Sequence, residues 1–162
     1  MRWILGMLLL AAGGVAGAAE LAVGDRLPAL KLEDQFGETH AIGEQTRLLL
    51  FTADKAAGDM VNETFGPEEG GDLTRDDVAY IADISGMPSL ISKLFALPKL
   101  RDFPYTVLVV REAETVAFLP RREDAVTVMH LEEGTVRSIG YADSVEELRE
   151  RINASPADNG HD

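Results

Sequence analysis

Two short, uninterrupted apolar runs set the tightest limit on what this chain can fold into: Leu48-Leu49-Leu50-Phe51 and Val78-Ala79-Tyr80-Ile81-Ala82. A strand with one wet face alternates apolar and polar residues. A strand that is apolar at every position needs cover on both faces, as in the middle of an α/β sheet. Between the two runs Asp54 is placed to cap a helix starting at about Lys55. Met60, Val61 and Phe65 give that helix an apolar face, and Gly66-Pro67 stops it. A polar loop over 68–77 leads to the second run. Pro88 then suits the first turn of another helix, where a missing N–H costs little. Leu90, Ile91, Leu94 and Phe95 lie on one face of this helix, and Pro98 is expected to end it.

The flanks complete an alternating pattern. Leu30-Lys31-Leu32 reads as a strand, Asp34-Gln35-Phe36-Gly37 as a type I turn, and Thr39-His40-Ala41-Ile42 as the returning strand. Strands are also expected over 105–110, 115–119, 125–131 and 135–139, with Glu132-Glu133-Gly134 turning the last pair. Ser144-Val145-Glu146-Glu147 is a capping box. The helix behind it turns Val145, Leu148 and Ile152 inward and carries Arg149 and Arg151 near its negative end. Alternating β and α units of this kind predict one α/β domain, a mixed sheet with helices on both faces.

The beginning reads as an address. Arg2, an apolar stretch, small residues over 11–19 and Ala16-Gly17-Ala18 as an A-x-A cleavage site have the layout of a secretory signal peptide. The expected division is a signal peptide over 1–18, a domain over 19–153 and a loose polar tail over 154–162. Cysteine is absent from all 162 residues, so an exported chain of this sequence uses neither disulfides nor a lipid-bearing cysteine. Lys and Arg number 15 against 28 Asp and Glu, a formal net charge of −13. Such a charge, with no large Lys/Arg cluster, argues against nucleic acid and anionic membrane surfaces as partners.

Several chemistries find no footing. No Gly-x-Gly-x-x-Gly lies between a strand and a helix, and aromatic residues are few, which leaves a flavin-dependent dehydrogenase reading without support. No phosphate loop or serine elbow is present. His40, His130 and His161 lack companions at metal-ligand spacing in sequence. Glu68, Glu69, Asp72, Asp76 and Asp77 lack the glycine-centred spacing of a calcium loop and read as a solvated acidic segment. No cofactor is expected.

The stretch Gly24-Asp25-x-x-Pro28-x-Leu30-x-Leu32-x-Asp34-x-x-Gly37 resembles the opening of periplasmic thioredoxin-like proteins and peroxiredoxins. The 48–51 run with the Asp54 helix resembles their central strand and first helix. Phe103-Pro104-Tyr105-Thr106-Val107 resembles the segment carrying their cis-proline, and the hairpin over 125–139 with the Ser144 helix is most similar to YtfJ-type periplasmic proteins. The resemblance implies a thioredoxin-like fold and a periplasmic location. Redox members place Cys-x-x-Cys where the helix N-terminus lowers the thiol pKa. Ala56-Ala57-Gly58-Asp59 stands there, and alanine cannot attack a disulfide or a peroxide.

The resemblance also implies a docking face for extended peptide, made where Asp54, Lys55 and Asp59 meet Arg101, Pro104 and Tyr105. The Phe103–Pro104 bond is cis if this holds, and an ordinary trans bond otherwise. The expected role is a redox-inactive module binding a periplasmic protein or peptide. The alternatives are a cysteine-independent enzyme or small-ligand or metal-binding protein using carboxylates near the first helix, and a structural accessory of the envelope.

Overall fold

The computed structural model describes residues 19–66 and 73–154. The expected signal peptide, the tail beyond Ala154, His161 and the acids Glu68, Glu69 and Asp72 lie outside the described residues. The strands are β1 (Leu30–Asp34), β2 (Thr39–Ile42), β3 (Leu48–Thr52), β4 (Val78–Asp83), β5 (Leu108–Val110), β6 (Val126–Glu132) and β7 (Thr135–Ala142). They form one mixed sheet in the order β2-β1-β5-β4-β3-β6-β7. The two apolar runs, β3 and β4, lie side by side in parallel at its centre, with Phe51 opposite Ile81. β5 continues the parallel set, and β6 runs antiparallel to β3.

Helix α1 (Lys55–Phe65) joins β3 to β4. A continuous helical segment, the 89–101 helix, joins β4 to β5. It consists of α2 (Ser89–Ile91), a π-helical turn (Ser92–Ala96) and α3 (Leu97–Arg101). Both crossovers step the same way across the sheet, so the right-handed rule sends both helices to one face. Helix α4 (Val145–Asn153) joins them there, packing Leu148 with Leu50, Val61, Phe65 and Val126. The second face buries Leu49, Phe51, Ile81 and Val110. An extended segment carrying Leu21 and Leu27 covers it, together with a 3-10 helix (Ala113–Val116). The Leu21 N–H donates to the Phe118 carbonyl at 2.8 Å and fastens the two covers together.

Three expectations change. The stretch expected as a strand over 115–119 instead holds the end of the 3-10 helix and the turn that follows it. Its buried residues Val116 and Leu119 are three apart, which is the repeat of that helix and not of a strand. β5 starts at Leu108 and not at Tyr105. The buried Gln35 side chain donates to the Tyr105 carbonyl and accepts from the Val107 N–H, both at 2.8 Å, and so takes backbone groups that a neighbouring strand would use.

The largest change concerns the 89–101 helix. Pro98 does not end it. A π-helical turn widens the backbone just ahead of the proline, whose ring and missing N–H fit poorly in a regular α-turn. One extra residue in the repeat rotates the succeeding turn by about 100°. Leu97 becomes buried and Leu100 half-buried, while Leu90, Ile91, Leu94 and Phe95 face solvent.

Candidate functional site

Helix α1 begins where β3 ends, and Asp54 makes the junction. Its Oδ1 accepts from the Ala57 N–H at 2.9 Å, the expected N-cap, and its Oδ2 accepts from the Asp124 N–H at 2.9 Å. Asp124 takes a left-handed backbone conformation (φ 55°), which aspartate tolerates better than most residues. The segment leading into β6 is thereby clamped to the start of α1. The pairing pattern requires this proximity: β6 runs antiparallel to β3 with Thr127 opposite Phe51, so its first residues lie beside the end of β3.

Pro104 occupies a different place. It leads toward β5, which β4 separates from β3. The Phe103–Pro104 bond is trans, since no described peptide bond is cis. The position facing the start of α1 belongs to Asp124 and Ala125. The hairpin pattern over 125–139 was the sequence signal that could have located it, through the strand that must pair with β3.

A cleft of about 250 Å³ opens between α1 and the 89–101 helix. Thr52, Tyr80 and Ala82 form its floor. Lys55, Gly58 and Asp59 stand on the α1 side, and Ile91, Phe95, Lys99 and Leu100 on the other, with Phe103 closing the line. Of the six expected site residues, Asp54, Lys55 and Asp59 line this cleft, whereas Arg101, Pro104 and Tyr105 do not. Arg101 holds the first hairpin turn, donating from Nε to the Gln35 carbonyl at 3.0 Å. Tyr105 is only 4% exposed. Its ring lies 5.3 Å from Phe103 and 6.2 Å from Tyr80, centroid to centroid, and its hydroxyl has no hydrogen-bond partner among the described residues. Burial pushes that phenol well above its ordinary pKa. The Tyr80 hydroxyl lies 3.2 Å from Thr52 Oγ1, and burial pushes its pKa up to about 12. Neither tyrosine is a ready proton donor near neutral pH.

The carboxylates around the cleft are all engaged. Asp54 spends both oxygens on backbone N–H groups. Asp59 pairs with Lys55 on its own helix and with Lys99 across the cleft, the latter at 3.3 Å. The hydrogen bond from Lys55, helped by Lys99, holds the Asp59 carboxyl below its usual pKa. Asp83, missed from sequence, accepts from the Ser85 N–H and from Arg121, at 2.9 and 3.0 Å. The Arg121 guanidinium also lies 5.1 Å over the Phe51 ring, a cation–π contact that steadies the segment before β6.

Among the described residues, one group of acids and histidine is close enough to share an ion: Asp34, Glu38 and His40. His40 therefore has companions that its sequence spacing concealed. Asp34 closes the first hairpin turn, its Oδ1 accepting from the Phe36 and Glu38 N–H groups and its Oδ2 lying 2.8 Å from His40 Nε2. Burial works against the Asp34 carboxylate, yet the His40 and backbone hydrogen bonds outweigh it and leave its pKa lowered. This turn sits beside Leu108, at the start of β5, whereas the cleft lies toward the ends of β3 and β4. No described helix is long and apolar enough to cross a membrane.

No family model matches the sequence, and no curated protein matches it. Solved structures do. A putative protein disulfide isomerase from Bacteroides thetaiotaomicron superposes with a TM-score of 0.55 at 14% identity, covering 82% of this chain and 89% of its own. A peroxiredoxin-like protein from Aquifex aeolicus gives 0.52 at 14% identity, over 84% and 89%. A putative thiol:disulfide interchange protein DsbE from Chlorobium tepidum gives 0.52 at 15% identity, over 82% and 96%. The fold is thioredoxin-like. At these identities the likeness speaks for fold alone.

Within that thioredoxin-like frame the first turn of α1 is where the redox motif is expected, and it holds Ala56-Ala57-Gly58-Asp59. Ala57 is fully buried against the sheet and Ala56 is exposed. A thiol cannot be supplied from elsewhere, because the chain has no cysteine. Thiol chemistry is therefore closed to this site.

Proposed function

We propose that the protein is an exported, redox-inactive thioredoxin-like module that binds a protein or peptide partner in the cleft between α1 and the 89–101 helix. One observation carries the reading. Leu90, Ile91, Leu94 and Phe95 are exposed by 67, 45, 58 and 66%, next to the cleft and to the exposed Met87. A single exposed leucine is ordinary, but a contiguous apolar surface beside a cleft marks an interaction site. Covering such side chains yields roughly 1.5–3 kcal/mol each, enough for a few of them to offset part of the cost of association. The signal-like leader supports export.

The alternative, a carboxylate-based enzyme or metal site near α1, draws less support, because Asp54, Asp59 and Asp83 are each committed to partners inside the protein. The structural-accessory reading differs only in the partner's nature.

Site-specific photo-crosslinking in producing cells tests the proposal. A photoreactive residue at position 91 or 95 should give discrete adducts that Leu94→Asp abolishes. One at exposed position 63, on α1, should give none. Equal adducts from all three positions would remove the cleft as the docking face. Measurable insulin reduction by the metal-free protein would overturn the redox-inactive part.

A further inference from the structure

We infer that the first hairpin carries a binding site for a divalent transition-metal ion of the zinc class, made by Asp34, Glu38 and His40 and separate from the cleft. The ladder brings the three together. β1 and β2 pair antiparallel with Leu32 opposite His40 and Glu33 opposite Thr39. The Asp34 N–H donates to the Glu38 carbonyl at 2.8 Å, so these two residues face each other across the turn. Side chains two apart on a strand share a face, and diagonal neighbours on an antiparallel pair lie within reach of long side chains. Asp34, Glu38 and His40 therefore converge on one side of the hairpin. One carboxylate oxygen from each acid and one ring nitrogen of His40 lie within 4.8 Å of one another.

Two features set this group apart from acids scattered on a surface. Asp34 is only 4% exposed, and the backbone fixes its orientation. Its Oδ1 accepts from the Phe36 and Glu38 N–H groups at 2.8 and 2.9 Å, which leaves Oδ2 facing His40 Nε2 at 2.8 Å. Hydrogen bonds of this kind hold metal-ligating carboxylates in place. The Glu38 carboxylate, in contrast, has no hydrogen-bond or ion-pair partner among the described residues, although it stands beside a second carboxylate. Among the same residues the only ion-pair partner of Asp34 is His40. Two carboxylates sharing one imidazole leave negative charge that a cation neutralises.

The donor set selects the ion. Mg²⁺ and Ca²⁺ favour oxygen throughout, whereas an imidazole nitrogen with two carboxylates suits Zn²⁺ and its first-row neighbours. Around a tetrahedral zinc with bonds of about 2.0–2.2 Å, neighbouring ligand atoms lie about 3.3–3.6 Å apart. Asp34 Oδ2 and His40 Nε2 reach that spacing by parting roughly half an ångström from 2.8 Å. The exposed Glu38 swings in to close the third side, and water takes the fourth position. The ion stands where the Nε2 proton stood. A neutral imidazole then carries its proton on Nδ1, and an imidazolium gives its Nε2 proton to solvent. The ion would pin the turn whose Gln35 side chain holds Tyr105 and Val107, and so steady the link between the hairpin and the approach to β5.

The test titrates Zn²⁺ into the purified, chelator-stripped full-length protein by isothermal calorimetry. One Zn²⁺ should bind per chain. His40→Ala and Glu38→Gln should each weaken it about tenfold or more. Asp34 is left intact because it also closes the turn, and circular dichroism checks that both variants keep the fold. His130→Ala and His161→Ala are the controls, the latter because His161 lies close to Asp158 and Asp162 in sequence. Neither should change the binding. Ca²⁺ and Mg²⁺ at equal concentration should not compete. Long-range ¹H–¹⁵N NMR of the His40 ring should show the Nε2 proton replaced on adding zinc, with the remaining ring proton on Nδ1.

Zinc binding that survives His40→Ala would overturn the inference, and a fall with His161→Ala instead would put the ion on the C-terminal residues. Loss with His40→Ala but none with Glu38→Gln would overturn the three-ligand site and leave Glu38 a bystander. No zinc binding at all, ready displacement by Ca²⁺, or an Nε2 still protonated at zinc saturation would overturn it as well. The crosslinking test of the cleft stands apart from each of these outcomes, since none of the three ligands lines the cleft.

Discussion

Helix α1 and the 89–101 helix do the same topological work on the same face of the sheet, yet they meet water in opposite ways. α1 is capped by Asp54 and buries Ala57, Val61 and Phe65 in the main core. The 89–101 helix has Pro88 and no side-chain cap at its start. It turns four large apolar residues outward and buries only Ser92 and Leu97, the latter against Ile84 and Val109. A helix whose apolar residues face out has not satisfied its own hydrophobicity by folding. The difference separates what the fold needs from what is left over for a partner.

The sharpest way to break this comparison is to make the same truncation on each helix. Phe65→Ala should lower stability by about 3–5 kcal/mol, the usual cost of an emptied aromatic site. Phe95→Ala should change it by no more than about 0.5 kcal/mol, as surface substitutions do. Urea unfolding reads both. A comparable loss at Phe95 would place the outward row in the molecule's own core and dissolve the contrast.

Next in size is the cap. Asp54→Ala should cost about 1–2 kcal/mol, because it frees the Ala57 N–H and releases the turn at Asp124 as well. Asp54→Asn should recover part of the loss, since its single carbonyl oxygen can serve one of the two donors. Ser89→Ala, at the uncapped start of the other helix, should be nearly silent in the same denaturation assay.

Much of the contrast was hidden in the sequence for a definable reason. β3, β4, the Asp54 cap, the Asp34–Gly37 turn and the Ser144 helix were legible because each depends on local patterning: continuous apolar runs, a capping residue, a glycine at φ 91°. The outward face was not. Leu90, Ile91, Leu94 and Phe95 have the spacing of a buried stripe, and only the π-helical turn before Pro98 decides which side of the helix meets the sheet. The docking position opposite α1 was displaced for a similar reason. Pro104 drew attention as a proline before a strand, but strand order, a long-range property, puts Asp124 and Ala125 beside α1. His40 escaped notice as a partner of Asp34 because a hairpin, not sequence spacing, brings them together.

The smallest effect belongs to the residue that joins the two helices. Asp59 is held below its usual pKa of 3.8 chiefly by Lys55 and then by Lys99. A carboxyl depressed in the fold adds stability above its unfolded pKa and loses it as pH falls through the lower folded value. With both lysines largely exposed the gain is small, about 0–1 kcal/mol. Carboxyl NMR titration should find the Asp59 midpoint below 3.8, and Lys99→Ala should move it upward. A midpoint unchanged by that substitution would show that the bridge across the cleft does not form in solution.

The most direct measurement is a ¹⁵N NMR titration of the full-length protein with an amphipathic peptide that carries leucine at i, i+3, i+4 and i+7. Amide shifts should concentrate at residues 52–59 and 84–103, the two walls and floor of the cleft, with the hairpin of β1 and β2 undisturbed. Shifts centred instead on that hairpin or on the outer edge of β7, with the 89–101 helix silent, would contradict a docking site between the two helices.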